Sequence, residues 1–208
     1  MPSVALQGIR IVDLSRVLAA PLATQLLADL GADVVKVERP GSGDEARTYG
    51  PPFLKTRDGE VTDIAAFYLA CNRNKRSITI NHAVPEGQAL IRKLVAESDV
   101  LVENFKTGTL AKYGLDYESL KRINPRLIYL SVTGFGQSGP YSHKPGYDGI
   151  FQAMGGLMSV SGHPQEPMKV GISMVDILTS FYAVVGILAA LRHRDATGEG
   201  QYIDLSLL

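Results

Sequence analysis

Residues 8–40, GIRIVDLSRVLAAPLATQLLADLGADVVKVERP, decide the fold of this chain. Two short runs rich in β-branched residues, IRIVDL at 9–14 and DVVKVE at 33–38, have the composition of buried strands. Between them, PLATQLLADLGA at 21–32 spaces its apolar residues as a helix does and reaches Gly31, a residue type common at helix ends. The segment therefore predicts a strand, a helix and a second strand parallel to the first.

The same alternation continues along the chain. Further strands are predicted at SITIN (77–81), DVLVEN (99–104) and RLIYLSVT (126–133). Helices are predicted from Pro85 onward and over residues 107–122. Because apolar strands separated by helices are typical of a parallel sheet, we expect an α/β fold with a Rossmann-like parallel sheet and flanking helices.

Residues 39–61 form a long connection rich in Gly, Pro and charge. It leaves the carboxyl end of the strand predicted at 33–38, and ligands of open parallel sheets bind outside such ends. The segment is predicted to be either a functional loop or a flexible one.

The composition bears on the partners and the compartment. Lys+Arg and Asp+Glu both number 21, so no overall basic field is available for nucleic acid or an anionic membrane. Cys71 is the single cysteine, and the first ten residues lack a charged segment followed by an apolar one. We expect a cytoplasmic protein.

The four histidines show no metal-ligand spacing, so no metal site is expected.

Two short motifs suggest phosphate binding but lack the right context. GFGQSG at 134–139 matches the dinucleotide-binding pattern, but PYSHKPGYD follows where a helix should open. NRNKRS at 72–77 concentrates basic residues before a strand, which favours a solvated loop, with a phosphate site as the alternative. The sequence therefore favours a glycine-rich loop near some other ligand over a nicotinamide site.

An apolar stretch at 171–191, GISMVDILTSFYAVVGILAAL, contains a single charge, Asp176. Its uncharged part, 177–191, is short for a membrane span, so we expect a core helix beginning near Asp176. From the residues alone Asp176 has two interpretations, an N-cap that needs no chemistry and a functional carboxylate.

Six segments in order resemble the class III CoA-transferases (CaiB/BaiF type), the group that contains formyl-CoA transferase and carnitine CoA-transferase. They are GIRIVDLSRVLAAPLATQLLADLGADVVKVERPGSGD, NRNKRSITI, DVLVENF, GLDYESLKRINPRLIYLSVTGFGQSGP, GYDGIFQAMGGLMSVSG and RDATGEGQYIDLSLL. The resemblance covers nearly the whole chain. It implies that residues 1–208 are the N-terminal portion of the large CoA-binding domain, without the small domain and the returning C-terminal segment.

The resemblance also implies a chemistry, in which CoA passes from an acyl-CoA to a free carboxylic acid through aspartyl anhydride and aspartyl-CoA thioester intermediates. The family's nucleophile falls on Asp176, in GISMVDILTS. Its CoA-binding positions fall on Leu18, Ala19, Arg39, Ile80, Asn104, Phe105, Lys106, Lys112, Tyr147 and Asp148. CoA enters as a substrate, and no permanently bound cofactor is expected.

Two positions depart from the family's pattern. Ala83 stands where the family often has a phosphate-binding lysine, so one contact is lost or passes to His82. Leu18 stands where the formyl-CoA:oxalate branch has glutamine, which argues against oxalate and favours a more apolar acceptor acid.

Two rival functions remain at this point. The α-methylacyl-CoA racemase branch pairs its aspartate with the histidine of a GHD block, whereas this chain has GYD at 146–148, which favours the transferase. A non-catalytic CoA-binding module is the other alternative. From the family we also expect two interlocked subunits in the full-length protein, and no activity from residues 1–208 alone.

Overall fold

Ten strands and six α-helices form within residues 4–208, the part of the chain that the computed structural model describes. The strands are β1 (Arg10–Asp13), β2 (Asp33–Glu38), β3 (Phe53–Lys55), β4 (Val61–Ala65), β5 (Lys75–Thr79), β6 (Val100–Glu103), β7 (Ile128–Thr133), β8 (Gly162–His163), β9 (Glu166–Pro167) and β10 (Tyr202–Ser206). The helices are α1 (Ala19–Asp29), α2 (Ala66–Asn72), α3 (Pro85–Ala96), α4 (Tyr117–Lys121), α5 (Asp148–Met154) and α6 (Met174–Thr197). Residues 1–3 lie outside the described residues. They belong to the first ten residues, which contain no charged segment followed by an apolar one.

Six strands form one parallel sheet in the order β10-β7-β6-β1-β2-β5. The chain therefore builds outward from β1 to β5 and then returns to the other side of β1 with β6. This is the doubly wound order, and the reversal leaves a crevice at the carboxyl ends of β1 and β6. The predicted Rossmann-like fold is confirmed.

The sheet separates two apolar cores because successive side chains of a strand point to opposite faces. In β6, Val100 and Val102 pack with α1 and α6, whereas Leu101 packs with α3 and α4. All three are fully buried, so β6 forms the centre of both cores.

Two boundary predictions are corrected. Residues 107–122 do not form one helix, because Gly114 takes a left-handed conformation (φ 60°) between a 3₁₀ turn at Leu110–Tyr113 and α4. The strand predicted at 77–81 begins two residues earlier, at Lys75.

The long segment 39–61 has defined structure, with a 3₁₀ turn at Glu45–Thr48 followed by β3 and the start of β4.

Helix α6 confirms the predicted long helix near Asp176. Ala183 and Ile187 are fully buried against the sheet, and Gly198 ends the helix in a left-handed conformation. By length and composition alone α6 is also long and apolar enough to cross a membrane, and 33% of its most apolar 18 residues are buried in the fold. Its packing on α1 and the sheet is that of a core helix with one exposed face.

The turn between β5 and α3 generates a prediction about stability. A Cβ placed on Gly87 would lie 1.8 Å from the carbonyl oxygen of Asn81, so Gly87→Ala should force α3 away from the turn. We expect a loss of about 1–3 kcal/mol in the free energy of unfolding, as for other overpacked sites.

Gly149→Ala is the matched control, because Gly149 is also helical and a Cβ there meets no atom within 4 Å. Helix propensity should make it neutral or stabilising by up to about 1 kcal/mol. Chemical denaturation of both variants measures the difference, and equal effects would contradict the close approach at Gly87.

Candidate active site

A two-lobed cleft lies at the carboxyl ends of the parallel strands. The larger lobe, about 430 Å³, is lined by residues that follow β1, β6 and β7 and by Asp176; we name it the Asp176 lobe. The smaller, about 220 Å³, is lined by residues that follow β2 and β5; we name it the Arg39 lobe. Arg16, Glu45 and Phe105 line both lobes and form the waist between them. The cleft thus occupies the switch point where ligands of this fold bind.

Ten of the eleven residues predicted for the site line this cleft. The Asp176 lobe brings together Leu18, Ala19, Asn104, Phe105, Lys106, Lys112, Tyr147 and Asp176. The Arg39 lobe contains Arg39 and Ile80 and shares Phe105. Asp148 lines neither lobe and is buried.

Asp148 instead holds the N-terminus of α6. One of its carboxylate oxygens accepts hydrogen bonds from the backbone N–H groups of Val175 (2.8 Å) and Asp176 (3.4 Å). The other accepts from the Gln152 side chain at 2.6 Å. The interpretation of Asp176 as the N-cap is therefore wrong, because Asp176 is the third residue of α6 and the carboxylate of Asp148 accepts from two of the free amides, those of Val175 and Asp176.

The carboxyl of Asp176 lies in a poorly solvated position beside this second carboxylate. Burial, followed by the negative charge of Asp148, raises the pKa of Asp176 from its usual 3.8 to about 6. The positive end of a 24-residue helix acts in the opposite direction. At neutral pH Asp176 is ionised but weakly hydrated, the state in which a carboxylate is a good nucleophile.

The loop after β1 forms one wall of the Asp176 lobe, and its backbone is strained. Val17 has φ 70°, a left-handed conformation that is costly for a β-branched residue. Its N–H donates to Asp44 at 3.1 Å, while the Asn104 side chain bonds the N–H and the C=O of Arg16 at 2.9 and 2.7 Å. Contacts from two other segments therefore hold Val17 in place and fix Leu18 and Ala19 at the lobe.

A buried ionic cluster ties this loop to the loop after β2. The Lys36 ammonium, 1% exposed, lies 2.8 Å from the Asp44 carboxylate and donates to the C=O of Ser15 at 2.8 Å. The N–H of Asp44 donates in turn to Glu38 at 2.9 Å. Burial alone would raise the pKa of Glu38, but hydrogen bonds from Arg47, Ser77, the Asp44 N–H and Tyr68 lower it to about 2.

A second buried pair fastens the edge strand β5. Lys75, 2% exposed, lies 2.9 Å from Asp13 and also donates to Pro21 and Asn72. The prediction of a solvated basic loop at 72–77 is thus wrong for Lys75, which is in β5 and buried. Arg73 and Arg76 pair with Asp29 and Asp33, and none of these three basic residues lines either lobe.

The Arg39 lobe combines the aromatic rings of His82 and Phe105 with charged side chains of both signs, Arg16, Lys36 and Arg39 and the acidic Glu38, Asp44 and Glu45. The imidazole of His82 lies edge-on to Phe105 and Tyr113, with ring centroids 5.1 and 5.5 Å away. Burial, then the charges of Arg39 and Arg16, lower the pKa of His82, so His82 is neutral at pH 7 when the lobe is empty. Such a lobe suits a planar aromatic group with an adjoining phosphate.

Sequence reasoning missed several residues of the cleft. Arg16 and Glu45 line the waist, and His143 and Lys144 line the Asp176 lobe. Only their positions in the sequence could have indicated them. Arg16 follows β1, His143 and Lys144 follow β7, and Glu45 lies in the long loop after β2. Within residues 4–208, no group of three or more His, Cys, Asp or Glu side chains could hold a metal ion.

Residues 6–208 match the model of a protein family described as CoA-transferase family III. The chain is 56% identical over 204 residues to a succinate–glutarate CoA-transferase of Agrobacterium fabrum, covering 98% of this chain and 51% of that protein. It is 47% identical over 204 residues to the succinyl-CoA:glutarate CoA-transferase of Homo sapiens, covering 98% and 45%.

Among solved structures, a CAIB/BAIF family protein from Brucella suis superimposes with a TM-score of 0.93 at 54% identity, covering 98% of this chain and 53% of that chain. The chain therefore spans about half the length of the curated relatives it matches.

The raised pKa of Asp176 generates a prediction about stability and pH. Because the folded-state pKa of about 6 exceeds the usual 3.8, the ionised carboxylate destabilises the fold above pH 6, and that penalty disappears as the pH falls to 4. Asp176→Asn should therefore be more stable than the wild type at pH 7.

The stability difference between variant and wild type should grow between pH 4 and 6 and stay constant above. Denaturant unfolding at a series of pH values measures it. A difference independent of pH would show that Asp176 titrates normally.

Proposed function

The chain belongs to CoA-transferase family III, and from that premise we propose that the whole protein transfers CoA from an acyl-CoA to a free carboxylic acid. The observation that carries the proposal is the position of Asp176. It is an ionised, poorly hydrated carboxylate that lines a cleft with three cationic side chains predicted to bind CoA phosphates, Arg39, Lys106 and Lys112.

In the proposed mechanism, a carboxylate oxygen of Asp176 attacks the thioester carbonyl of the donor. The C–S bond breaks, the CoA thiolate leaves, and an acyl-aspartyl anhydride forms. The thiolate then attacks the aspartyl carbonyl, which releases the donor acid and leaves an aspartyl-CoA thioester. The acceptor carboxylate repeats the sequence in reverse, so the products are the new acyl-CoA and free Asp176.

Charge and solvation at Asp176 suit both directions of this exchange. A pKa near 6 leaves the group ionised at pH 7, and its partial burial reduces the hydration that would weaken its attack.

The two lobes suit the two ends of CoA. The adenine end would lie in the Arg39 lobe against His82 and Phe105, and the pantetheine arm would pass the waist toward Asp176. Arg39 is exposed and can form a charge-assisted contact with a phosphate. His82, neutral in the empty lobe, would gain a proton beside a phosphate and compensate for Ala83.

We further propose that the acceptor is a short dicarboxylic acid. The Agrobacterium fabrum relative is a succinate–glutarate CoA-transferase, and the Homo sapiens relative is a succinyl-CoA:glutarate CoA-transferase. Leu18 at the lobe agrees with an acceptor that carries methylene groups, unlike oxalate.

For the whole protein we propose a cytoplasmic, interlocked homodimer in which residues 1–208 belong to the large CoA-binding domain and a small domain and a returning C-terminal segment complete each subunit. The interlocked dimer rests on the resemblance of the six sequence segments, and the further domain and segment are supported by relatives about twice as long as this chain. The location rests on the composition of the sequence. CoA transfer would then require the full-length protein.

One observation favours the racemase-type alternative. Tyr147 replaces the histidine of the GHD block, yet His143 lines the same lobe as Asp176 and could act as a second base. Incorporation of solvent deuterium next to the thioester, without any acceptor acid, would support that alternative.

The nucleophile assignment predicts a covalent adduct. Incubation of the full-length protein with acyl-CoA should leave an acyl or CoA adduct on the peptide containing Asp176, which hydroxylamine traps and mass spectrometry detects. Asp176→Asn should keep the fold and abolish transfer, because an amide cannot readily form the anhydride. Transfer that persists in Asp176→Asn would exclude the mechanism.

The phosphate assignment predicts a loss of CoA affinity in Arg39→Ala. Hydrogen bonds to charged groups contribute about 1.5–3 kcal/mol, so the dissociation constant of CoA should rise about 10- to 150-fold in calorimetry. Arg57→Ala is the matched control, because Arg57 is an exposed arginine between β3 and β4 that lines neither lobe. Equal affinities in the two variants would remove Arg39 from the site.

A further inference from the structure

Arg16 already binds a carboxylate inside the cleft. Its Nη1 lies 2.6 Å from Oε1 of Glu45, and both side chains line the waist where the two lobes meet. Glu45 precedes the buried Ala46 in the 3₁₀ turn after β2, whereas Arg16 follows β1. The two loops at the switch point thus contribute one charge each to this pair.

The pair leaves the guanidinium incompletely satisfied. Nε of Arg16 is buried and has no hydrogen-bond partner among the described residues. A buried donor without a partner costs free energy, and a guanidinium can bind a carboxylate through two parallel N–H groups. The contact with Glu45 uses Nη1 alone, and Nη2 donates to no described residue, so an incoming carboxylate that engaged Nη1 and Nη2 together would make a better contact than the one present.

The Glu45 side chain can move away from Arg16 at a small cost in free energy. Its side chain is 51% exposed, so the carboxylate would be hydrated once released, and an exposed ion pair contributes little. The arginine is more fixed, because Asn104 bonds both backbone groups of Arg16 and the guanidinium lies 5.3 Å from the centre of the Phe105 ring. The carboxylate site is therefore anchored on Arg16, and its occupant can be exchanged.

Other cations of the Asp176 lobe differ from Arg16. Lys106, Lys112 and Lys144 are exposed, and none forms an ion pair with a described carboxylate. Such lysines suit phosphate as point charges, whereas a planar fork is matched to a carboxylate.

We propose that Arg16 is the subsite for the distal carboxylate of a dicarboxylic acid, which displaces Glu45 while the other carboxyl group reacts at Asp176. The inference rests on the proposed function. It makes Arg16 a specificity-determining residue and gives Glu45 the role of an internal substitute that neutralises Arg16 in the empty cleft. An acid whose distal group is neutral cannot displace Glu45 from Arg16. Such an acid therefore lacks the second contact with the cleft.

The test compares two acceptors in the full-length protein with succinyl-CoA as the common donor. Glutarate carries the distal carboxylate, and glutarate monoamide has the same length with a neutral end. In Arg16→Gln the ratio of kcat/KM for glutarate to that for the monoamide should fall 10- to 100-fold, with CoA affinity unchanged. Arg16→Lys should recover part of the ratio, because it keeps the charge but not the fork. Glu45→Gln should lower KM for glutarate, since it removes the competing carboxylate.

Arg10→Gln is the control, because Arg10 also pairs with a glutamate, Glu97, at 3.4 Å, but lines neither lobe. It should leave the ratio unchanged. Thermal melts check that each variant is folded.

Three outcomes would overturn the inference. A weaker CoA affinity with an unchanged ratio would assign Arg16 to the phosphates. An equal loss with both acceptors would make Arg16 a general positioning residue. An unchanged ratio with full activity would remove Arg16 from recognition altogether. A wild-type protein that transfers CoA to no acid would refute the proposed function itself, a result distinct from these three.

Discussion

The ion pair between Lys36 and Asp44 is the interaction on which the cleft depends. Both side chains are fully buried, and together they join β2, the loop after β1 and the loop after β2. Removal of one partner from a buried pair typically costs about 3–5 kcal/mol, because the other charge remains uncompensated. Here the loss would reach the backbone, since Asp44 also holds the N–H groups of Val17 and Ala46.

Several features of the cleft reduce stability, and the pair holds one of them, the backbone of Val17, in place. Val17 has a left-handed backbone, Asp176 and Asp148 place two carboxyl groups at one helix end, and Nε of Arg16 is buried without a partner in the described residues. Strained conformations and unpaired charges persist only where the surroundings over-determine them. Their concentration at one cleft, within a sheet whose two cores are well packed, fits a site adapted to ligands at the expense of local stability.

The sequence predicts those parts that depend on local pattern. The β1–α1–β2 unit follows from residues 8–40. Leu18 and Asn104 are assigned to one site by the family resemblance, and the strand order of the structure then explains why both lie at the switch point. Asp176 is identifiable because a single charge in an apolar helix is conspicuous. The parts that were mispredicted depend on partners far away in the sequence. The local pattern assigns Lys75 to a loop, and its burial follows only from the contact with Asp13, 62 positions earlier.

The sequence also mispredicts the N-cap of α6, for a long-range reason, and the break at Gly114, for a local one. Gly114 divides residues 107–122 through a conformation that helical periodicity does not report, and Asp148 caps α6 from 27 positions away. Arg16 and Glu45, 29 positions apart, acquire meaning only as a pair across the waist. Long-range charge pairing is therefore the information that pattern analysis of one sequence lacks.

The two-lobed cleft has a consequence for the proposed chemistry. In each turnover the CoA thiolate leaves an acyl carbon and must return to a carbonyl at Asp176 without escaping. A thiolate tethered through binding of the distant nucleotide end has a high effective concentration at the nucleophile, whereas a free thiolate would diffuse away. The binding free energy of CoA should therefore come mainly from the Arg39 lobe, where no bond changes. The Asp176 lobe can then bind its successive acyl groups weakly enough to exchange them, which leaves selection among acids to a separate contact at the waist.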